Sequence, residues 1–222
     1  MNKFELFSRE HFFYLASYFL VTLFFIILSL NVEDKRRFAR NSAAIIGILK
    51  IFELAYRYTV LDEPIRFLLP LHLCNLTLIM AVIAMTSGNR LFLNLTYFWS
   101  AGTIFALLTP EVKITFPHLL NISFFSTHFY LIFSAVYCVK AFNFKPNFEN
   151  LIKAFKYVNF AFIIIFFINL ALGTNYMFVN YKPSFRSPLD YMGPWPYYII
   201  CLEIITFICF LIMYLPFYTK KR

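Results

Sequence analysis

Residues 11–30 read HFFYLASYFLVTLFFIILSL, a run of twenty residues without Asp, Glu, Lys or Arg. A helix of that length extends about 30 Å, which matches the hydrocarbon thickness of a bilayer. The run is too long for the core of a signal peptide, and the charged residues 31–40 that follow contain no small-residue cleavage site. The stretch therefore predicts a membrane-spanning helix that is retained.

The composition of the whole chain agrees with a lipid solvent. Hydrophobic residues make up 61% of the 222 residues and charged residues only 14%, and the mean hydropathy is +0.69. Such a chain has too little polar surface to cover a soluble globule. The net charge of +9 comes from Lys and Arg in short clusters between apolar runs, a distribution that argues against nucleic-acid binding.

Six further apolar runs follow the first, separated by turn-forming residues such as Asp62-Glu63-Pro64 and Lys145-Pro146-Asn147. We predict an all-α polytopic membrane helix bundle of about seven transmembrane helices, with residues 1–222 as a single transmembrane domain and no soluble domain. The predicted spans are 11–30, 42–60, 67–85, 91–108, 119–139, 158–172 and 197–217.

The loops differ in positive charge from one side of the predicted bundle to the other. Twelve Lys and Arg residues fall in loops on one side and six on the other. Because cytoplasmic loops carry the excess of Lys and Arg, the C-terminus is predicted in the cytoplasm and the N-terminus outside. We expect a multi-pass protein of the cell membrane.

Ionisable side chains lie within the predicted second span. Lys50, Glu53 and Arg57 follow an i, i+3, i+7 pattern, which places them within about 60° on one helical face. Polar groups in hydrocarbon are costly, so those that remain usually face the bundle interior and are functional candidates. Alternatively, the ion pair only holds the register of the helices.

Histidines lie in two other predicted spans. His72 and Asn75 share a face of the third span by the i, i+3 rule, whereas Cys74 is predicted on another face; Thr127 and His128 lie in the fifth span. Imidazoles supply acid and base chemistry near neutral pH. In the alternative interpretation, the histidines simply hydrogen-bond Asn75 or a backbone carbonyl.

Two further candidates lie towards the C-terminus. Glu203 falls in the seventh span, and Trp195 stands between two prolines in the long outer connection, which is predicted to cap the bundle or to anchor the last helix at the headgroups. His72, His128 and Glu203 form a minimal zinc or iron set, but no HxxxH or HExxH spacing supports it. We expect neither a metal nor another cofactor.

Five motifs carry a family resemblance that covers nearly the whole chain. They are FELAYR (52–57), LPLHLCNL (69–76), STHFY (126–130), GTNYMFVNYKP (173–183) and LDYMGPWPYY (189–198). In content and order they resemble the bacterial YwaF-like integral membrane family, which is similar, more distantly, to animal transmembrane protein 164. The resemblance points to Glu53, Arg57, His72 and His128 as the family landmarks.

The animal relative is regarded as an acyltransferase acting on phospholipids, with a cysteine immediately before the motif histidine. In this sequence Leu71 occupies that position. If the chemistry is retained, the resemblance implies that Thr127, Ser126 or a water activated by His72 replaces the thiol as nucleophile.

Three functions remain open from the sequence. The first is an enzyme acting on lipid acyl chains, a phospholipid acyltransferase or hydrolase, with His72 as general base, Glu53 and Arg57 orienting it, and His128 as acid or oxyanion donor. Asn75, Thr127, Glu203 and Trp195 would contact the substrate, and membrane lipids would be the partners. The second is a transporter of a small solute or protons through a path lined by Asn94 and Asn169. The third is a non-catalytic seven-helix sensor or scaffold.

Overall fold

The structure is a computed structural model that describes residues 3–184 and 187–218. This part of the chain is helical and contains no β-strand, only one antiparallel bridge between Lys3 and Ile114. Its α-helices are α1 (Arg9–Asn31), α2 (Lys35–Thr59), α3 (Leu73–Ser87), α4 (Arg90–Trp99), α5 (Thr103–Leu108), α6 (Leu119–Lys140), α7 (Phe148–Leu172) and α8 (Tyr197–Tyr214). A 3-10 turn, Ser100–Gly102, joins α4 to α5.

Local sequence sets the helix ends. The Asp34 side chain accepts a hydrogen bond from the backbone N–H of Arg37 at the start of α2, and Asn147 accepts one from Asn150 at the start of α7. These side chains satisfy backbone donors that have no partner within the helix. Gly88 and Gly173 follow α3 and α7 with φ of 67° and 65°, a left-handed conformation that glycine adopts without strain.

The central helix of the bundle is α6, which packs against α1, α2, α3, α4 and α5, while α7 and α8 pack against each other and against α4. In the apolar 18-residue stretch of each helix, 61% of the residues of α6 are buried, against 11% in both α1 and α8. The outer helices therefore present their apolar side chains outwards, as helices in lipid do.

Five segments are long and apolar enough to cross a membrane: Arg9–Asn31, Arg90–Leu108, Leu119–Lys140, Phe148–Leu172 and Tyr197–Phe217. The other two long helices are not among these five. The apolar helix α3 is shorter, with 15 residues, and α2 carries a high density of charged residues. The chain is thus a membrane protein with several apolar helices. The count of seven spans and their orientation stay predictions.

The helix starts differ from the predicted spans at three places. The second predicted span begins at residue 42, whereas α2 begins at Lys35, after its cap Asp34. The sixth predicted span begins at residue 158, whereas α7 begins at Phe148, because Asn147 caps the helix there. The third predicted span begins at residue 67, whereas α3 begins at Leu73 and follows a 3-10 turn, Ile65–Phe67. His72 is consequently the N-cap residue of α3, with an extended backbone, and does not lie within the helix.

Two connections meet at the end of the bundle where α2 ends and α3 begins. The Tyr176 hydroxyl donates to the carbonyl oxygen of Arg66 at 2.8 Å, which joins the connection after α7 to the one between α2 and α3. Burial raises the pKa of this phenol above 10.0, so its hydroxyl remains a donor. The connection between α7 and α8 thus covers this end of the bundle.

Candidate functional site

A row of charged side chains follows one face of α2. Glu53 is its centre: Glu53 Oε2 lies 2.7 Å from Lys50 Nζ, and Glu53 Oε1 lies 3.5 Å from an Arg57 guanidinium nitrogen. Ser123 of α6 also donates to Glu53 Oε2 at 2.6 Å. The Glu53 side chain is only 8% exposed, and a carboxylate that is buried to this degree requires such partners.

Arg57 is held more tightly by a second carboxylate, Glu63. Its Nε donates to Glu63 Oε1 at 3.2 Å and a terminal nitrogen donates to Oε2 at 2.6 Å, a two-point contact. From the sequence, Glu63 is predicted only as part of a turn that separates two spans. Its position six residues beyond Arg57, just after the end of α2, was the one available signal, and the reversal of the chain that makes the contact was not predicted.

His72 stands at the start of α3 with its ring among aromatic side chains. The rings of Tyr176 and Phe178 lie 5.1 and 5.7 Å from it, centre to centre. The backbone N–H of Met177 donates to His72 Nδ1 at 3.3 Å. An Nδ1 atom that accepts a hydrogen bond carries no proton, so a neutral His72 bears its proton on Nε2.

The segment that contacts His72 has an unusual backbone. Met177 and Phe178 have φ of 57° and 54°, values that side-chain-bearing residues rarely adopt. Asn169 of α7 supports this segment: its amide donates to the Tyr176 carbonyl oxygen at 3.0 Å, and its Oδ1 accepts from the Tyr176 N–H at 2.8 Å. Strain of this kind persists where the surrounding structure enforces it, often at functional sites.

His128 has the opposite proton arrangement. Its Nδ1 lies 2.7 Å from the carbonyl oxygen of Phe124, and because a carbonyl only accepts, Nδ1 carries the proton. In the neutral ring Nε2 therefore has a free lone pair. His128 is 5% exposed, and its buried Nε2 has no hydrogen-bond partner among the residues that the structure describes. Buried polar atoms of this kind are uncommon and call for an explanation.

These side chains surround one cavity of about 750 Å³, a volume typical of sites for small molecules. Six of the eight predicted site residues line it: Glu53, Arg57, His72, Asn75, Thr127 and His128. Apolar side chains such as Leu54, Phe105, Phe124 and Leu131 form much of the remaining wall. A wall that carries both charged and apolar groups suits an amphiphilic ligand.

Glu203 and Trp195 do not line this cavity, and their prediction as contacts of the same ligand is not supported by their positions. Glu203 lies on α8 beside Asn159 of α7, helices that pack on the far side of α4. Trp195 is 53% exposed, and its indole N–H donates to the carbonyl oxygen of Val179 at 3.2 Å. Trp195 therefore supports the covering connection.

Cys74 lines the cavity together with His72, contrary to the predicted divergence of the two side chains. That prediction assumed a regular helix through both residues, but His72 precedes α3 and its backbone is extended. The four cysteines are free thiols, and of these Cys74 is the one on the cavity wall.

The two predicted hydroxyl nucleophiles are otherwise engaged. Thr127 Oγ1 donates to the Ser123 and Phe124 carbonyl oxygens at 2.7 and 3.0 Å. The Ser126 hydroxyl lies 3.5 Å from that of Tyr18 on α1, away from the cavity. The Thr127 hydroxyl therefore already donates to its own helix, and Ser126 is not among the residues that line the cavity.

The path proposed for a transporter is not continuous with this cavity. Asn94 donates to the Asn150 carbonyl oxygen at 3.0 Å, and Asn169 is held by the segment that follows α7. Neither lines the cavity. Among residues 3–184 and 187–218, no three His, Cys, Asp or Glu side chains are grouped as a metal site requires.

Comparisons with known proteins give one family and one relative. The TMEM164 family model matches residues 6–214. An uncharacterised protein of Treponema pallidum (strain Nichols) is 26% identical over an alignment of 222 positions. The alignment covers 95% of this chain and 89% of the relative. No solved structure matches the chain.

Proposed function

Because the chain belongs to the TMEM164 family and is a membrane protein with several apolar helices, we propose that its cavity is the active site of an enzyme that transfers or hydrolyses lipid acyl groups. Within the family we assign the chain to the YwaF-like bacterial proteins. We further propose seven spans in the cell membrane, with the N-terminus outside. The membrane lipids that surround the helices would be its substrates.

One observation carries the proposal: His128 lines a cavity whose wall has both charged and apolar groups, and its buried Nε2 has a lone pair that no other described residue engages. A general base needs a lone pair that is not already engaged, on a ring whose other nitrogen is held in position. The Phe124 carbonyl oxygen supplies that support. His128 is therefore the base, and His72 is not, since His72 Nδ1 already accepts a hydrogen bond and its Nε2 bears the proton.

The reaction would use the two imidazoles in complementary ways. As the nucleophile attacks the ester carbonyl carbon, its proton moves to His128 Nε2. The Nε2–H of His72 stabilises the negative charge that develops on the carbonyl oxygen. The ester C–O bond then breaks, and the leaving alcohol takes the proton from His128. Water or a second lipid hydroxyl completes hydrolysis or transfer through the same base.

Cys74 is the nucleophile that this geometry favours, since its thiol is on the cavity wall and an acyl-thioester divides a difficult transfer into two easier steps. Water is the alternative nucleophile, and it would give hydrolysis without an acyl-enzyme.

The experiment is to incubate the purified protein with a membrane lipid extract and to follow acyl exchange and release by mass spectrometry. Loss of turnover is expected in His128→Ala and His72→Ala. Cys74→Ser abolishes an acyl-thioester route, whereas Cys201→Ser, a cysteine of α8, is the matched control. Lipids that stay unchanged with the unaltered protein would remove the proposed enzyme.

A further inference from the structure

The two carboxylates that contact Arg57 differ in how firmly they are held. Glu53 is 8% exposed and is also bound by Lys50 and Ser123. The Glu63 side chain is 29% exposed, and the structure gives its carboxylate no partner other than Arg57 among the described residues. Glu63 is therefore the carboxylate that can leave.

Glu63 also lies in a short, exposed turn. It follows the end of α2 after Val60 and Leu61, which are 59% and 39% exposed. Asp62, which precedes it, has a φ of 51° and folds the chain back so that the Glu63 N–H donates to the Arg57 carbonyl oxygen. A rotation of the Glu63 side chain in this turn would separate its carboxylate from Arg57 without unfolding α2.

Arg57 would then present an open guanidinium to the cavity. Its side chain is 27% exposed, and both Arg57 and Glu63 line the cavity. The fork of N–H donors that now holds a carboxylate at two points fits the oxyanion of a phosphate or carboxylate equally well. Exchange of one anion for another keeps the charge of Arg57 balanced.

We propose that Arg57 is the binding site for the oxyanion of an anionic lipid, and that the Glu63 carboxylate occupies this site until the lipid displaces it. The apolar part of the wall, which includes Phe105 and Leu54, receives the acyl chain. This inference deepens the proposed function, since it concerns the same cavity. The inference concerns lipid binding alone, however, so its test does not require catalytic turnover.

The test measures lipid binding to the full-length protein in a non-ionic detergent, by native mass spectrometry and by thermal unfolding. The probes are phosphatidylglycerol, lauric acid, phosphatidylcholine and water-soluble glycerol phosphate. Glu63→Gln removes the competing carboxylate and keeps the size of the side chain. The matched control is Asp62→Asn. It removes the same charge from the neighbouring residue, whose side chain is not on the cavity wall.

Glu63→Gln is expected to tighten binding of an anionic lipid about fivefold, the effect of about one exposed ion pair. Asp62→Asn and the zwitterionic phosphatidylcholine should show no such gain. Arg57→Lys keeps the charge but lacks the two-point fork, and should weaken anionic lipid binding in both the native and the Glu63→Gln background. A gain for phosphatidylglycerol identifies a phosphate source, and a gain for lauric acid a carboxylate source.

The proposal is overturned if Glu63→Gln and Asp62→Asn change binding equally, because the effect is then one of overall charge. It is also overturned if glycerol phosphate binds as tightly as phosphatidylglycerol, since the acyl chain would then contribute nothing. Anionic lipid binding without turnover would leave this inference standing while it removes the proposed enzyme. Turnover by the unaltered protein, together with lipid binding that Glu63→Gln does not change, would leave the proposed enzyme standing and overturn this inference.

Discussion

Ser123 and Glu53 join the central helix to the charged face of α2. The Ser123 hydroxyl donates to Glu53 Oε2 at 2.6 Å, and both side chains are buried. The same oxygen accepts from Lys50 at 2.7 Å. The position of the charged row relative to α6, and thus to His128, is held by this contact.

Ser123→Ala should destabilise the protein, because Glu53 loses a buried donor while it stays charged. The expected loss is about 1–3 kcal/mol in the free energy of unfolding. Thermal unfolding in detergent measures it, with Ser126→Ala as the control, since that hydroxyl makes only a 3.5 Å contact with Tyr18. Equal melting temperatures for the two variants would contradict the importance of the contact.

Glu53→Gln should destabilise the protein more strongly, because Lys50 then lies without a carboxylate in a largely buried position. Removal of one partner of a buried ion pair costs about 3–5 kcal/mol. The double variant Glu53→Gln/Lys50→Met should recover part of that loss, since it leaves no unpaired ammonium. If the two changes are additive in denaturant unfolding, Lys50 and Glu53 are not energetically coupled.

The two cavity histidines should be opposite tautomers at a pH where both are neutral. We expect the proton of His128 on Nδ1 and that of His72 on Nε2, given their backbone partners. Nitrogen chemical shifts of histidine-labelled protein distinguish these forms, and His128→Asn and His72→Asn assign the signals. Identical tautomers at both positions would refute the roles proposed for them.

Asn169→Ala should loosen the connection that covers the cavity. Its side chain makes hydrogen bonds to Tyr176, Asn180 and Thr174, so their loss should cost about 1–3 kcal/mol. Faster hydrogen exchange over residues 174–181 is the expected result. Asn31→Ala is the control, because the exposed Asn31 amide donates to the carbonyl oxygen of Ile27 in its own helix. Unchanged exchange in Asn169→Ala would argue against this support.

The proposed orientation can be tested with a membrane-impermeant maleimide on intact cells. Single exposed cysteines at residue 184 (Ser184→Cys) and residue 145 (Lys145→Cys) probe opposite ends of α7. With the N-terminus outside, Ser184→Cys should react from outside and Lys145→Cys only after the membrane is opened. The opposite pattern would reverse the topology.

Residue spacing was sufficient to predict part of the site. Lys50, Glu53 and Arg57 share a face of α2 because helical geometry follows directly from positions in the chain. The same rule failed for His72 and Cys74, because α3 begins only after His72. The position of Glu203 away from the cavity was not foreseen either, because sequence gives the depth of a residue along a helix but not which neighbour the helix turns it towards.

The sequence by itself determined that lipid surrounds this protein and which ionisable side chains it places among apolar ones. Apolar runs of bilayer length and a few costly polar residues are properties of composition and order. Only the tertiary structure decided how those residues act. The Glu63 contact with Arg57 and the Met177 contact with His72 depend on chain reversals. The proton positions on His72 and His128 follow from their hydrogen-bond partners, and for His72 that partner is 105 residues away in the chain.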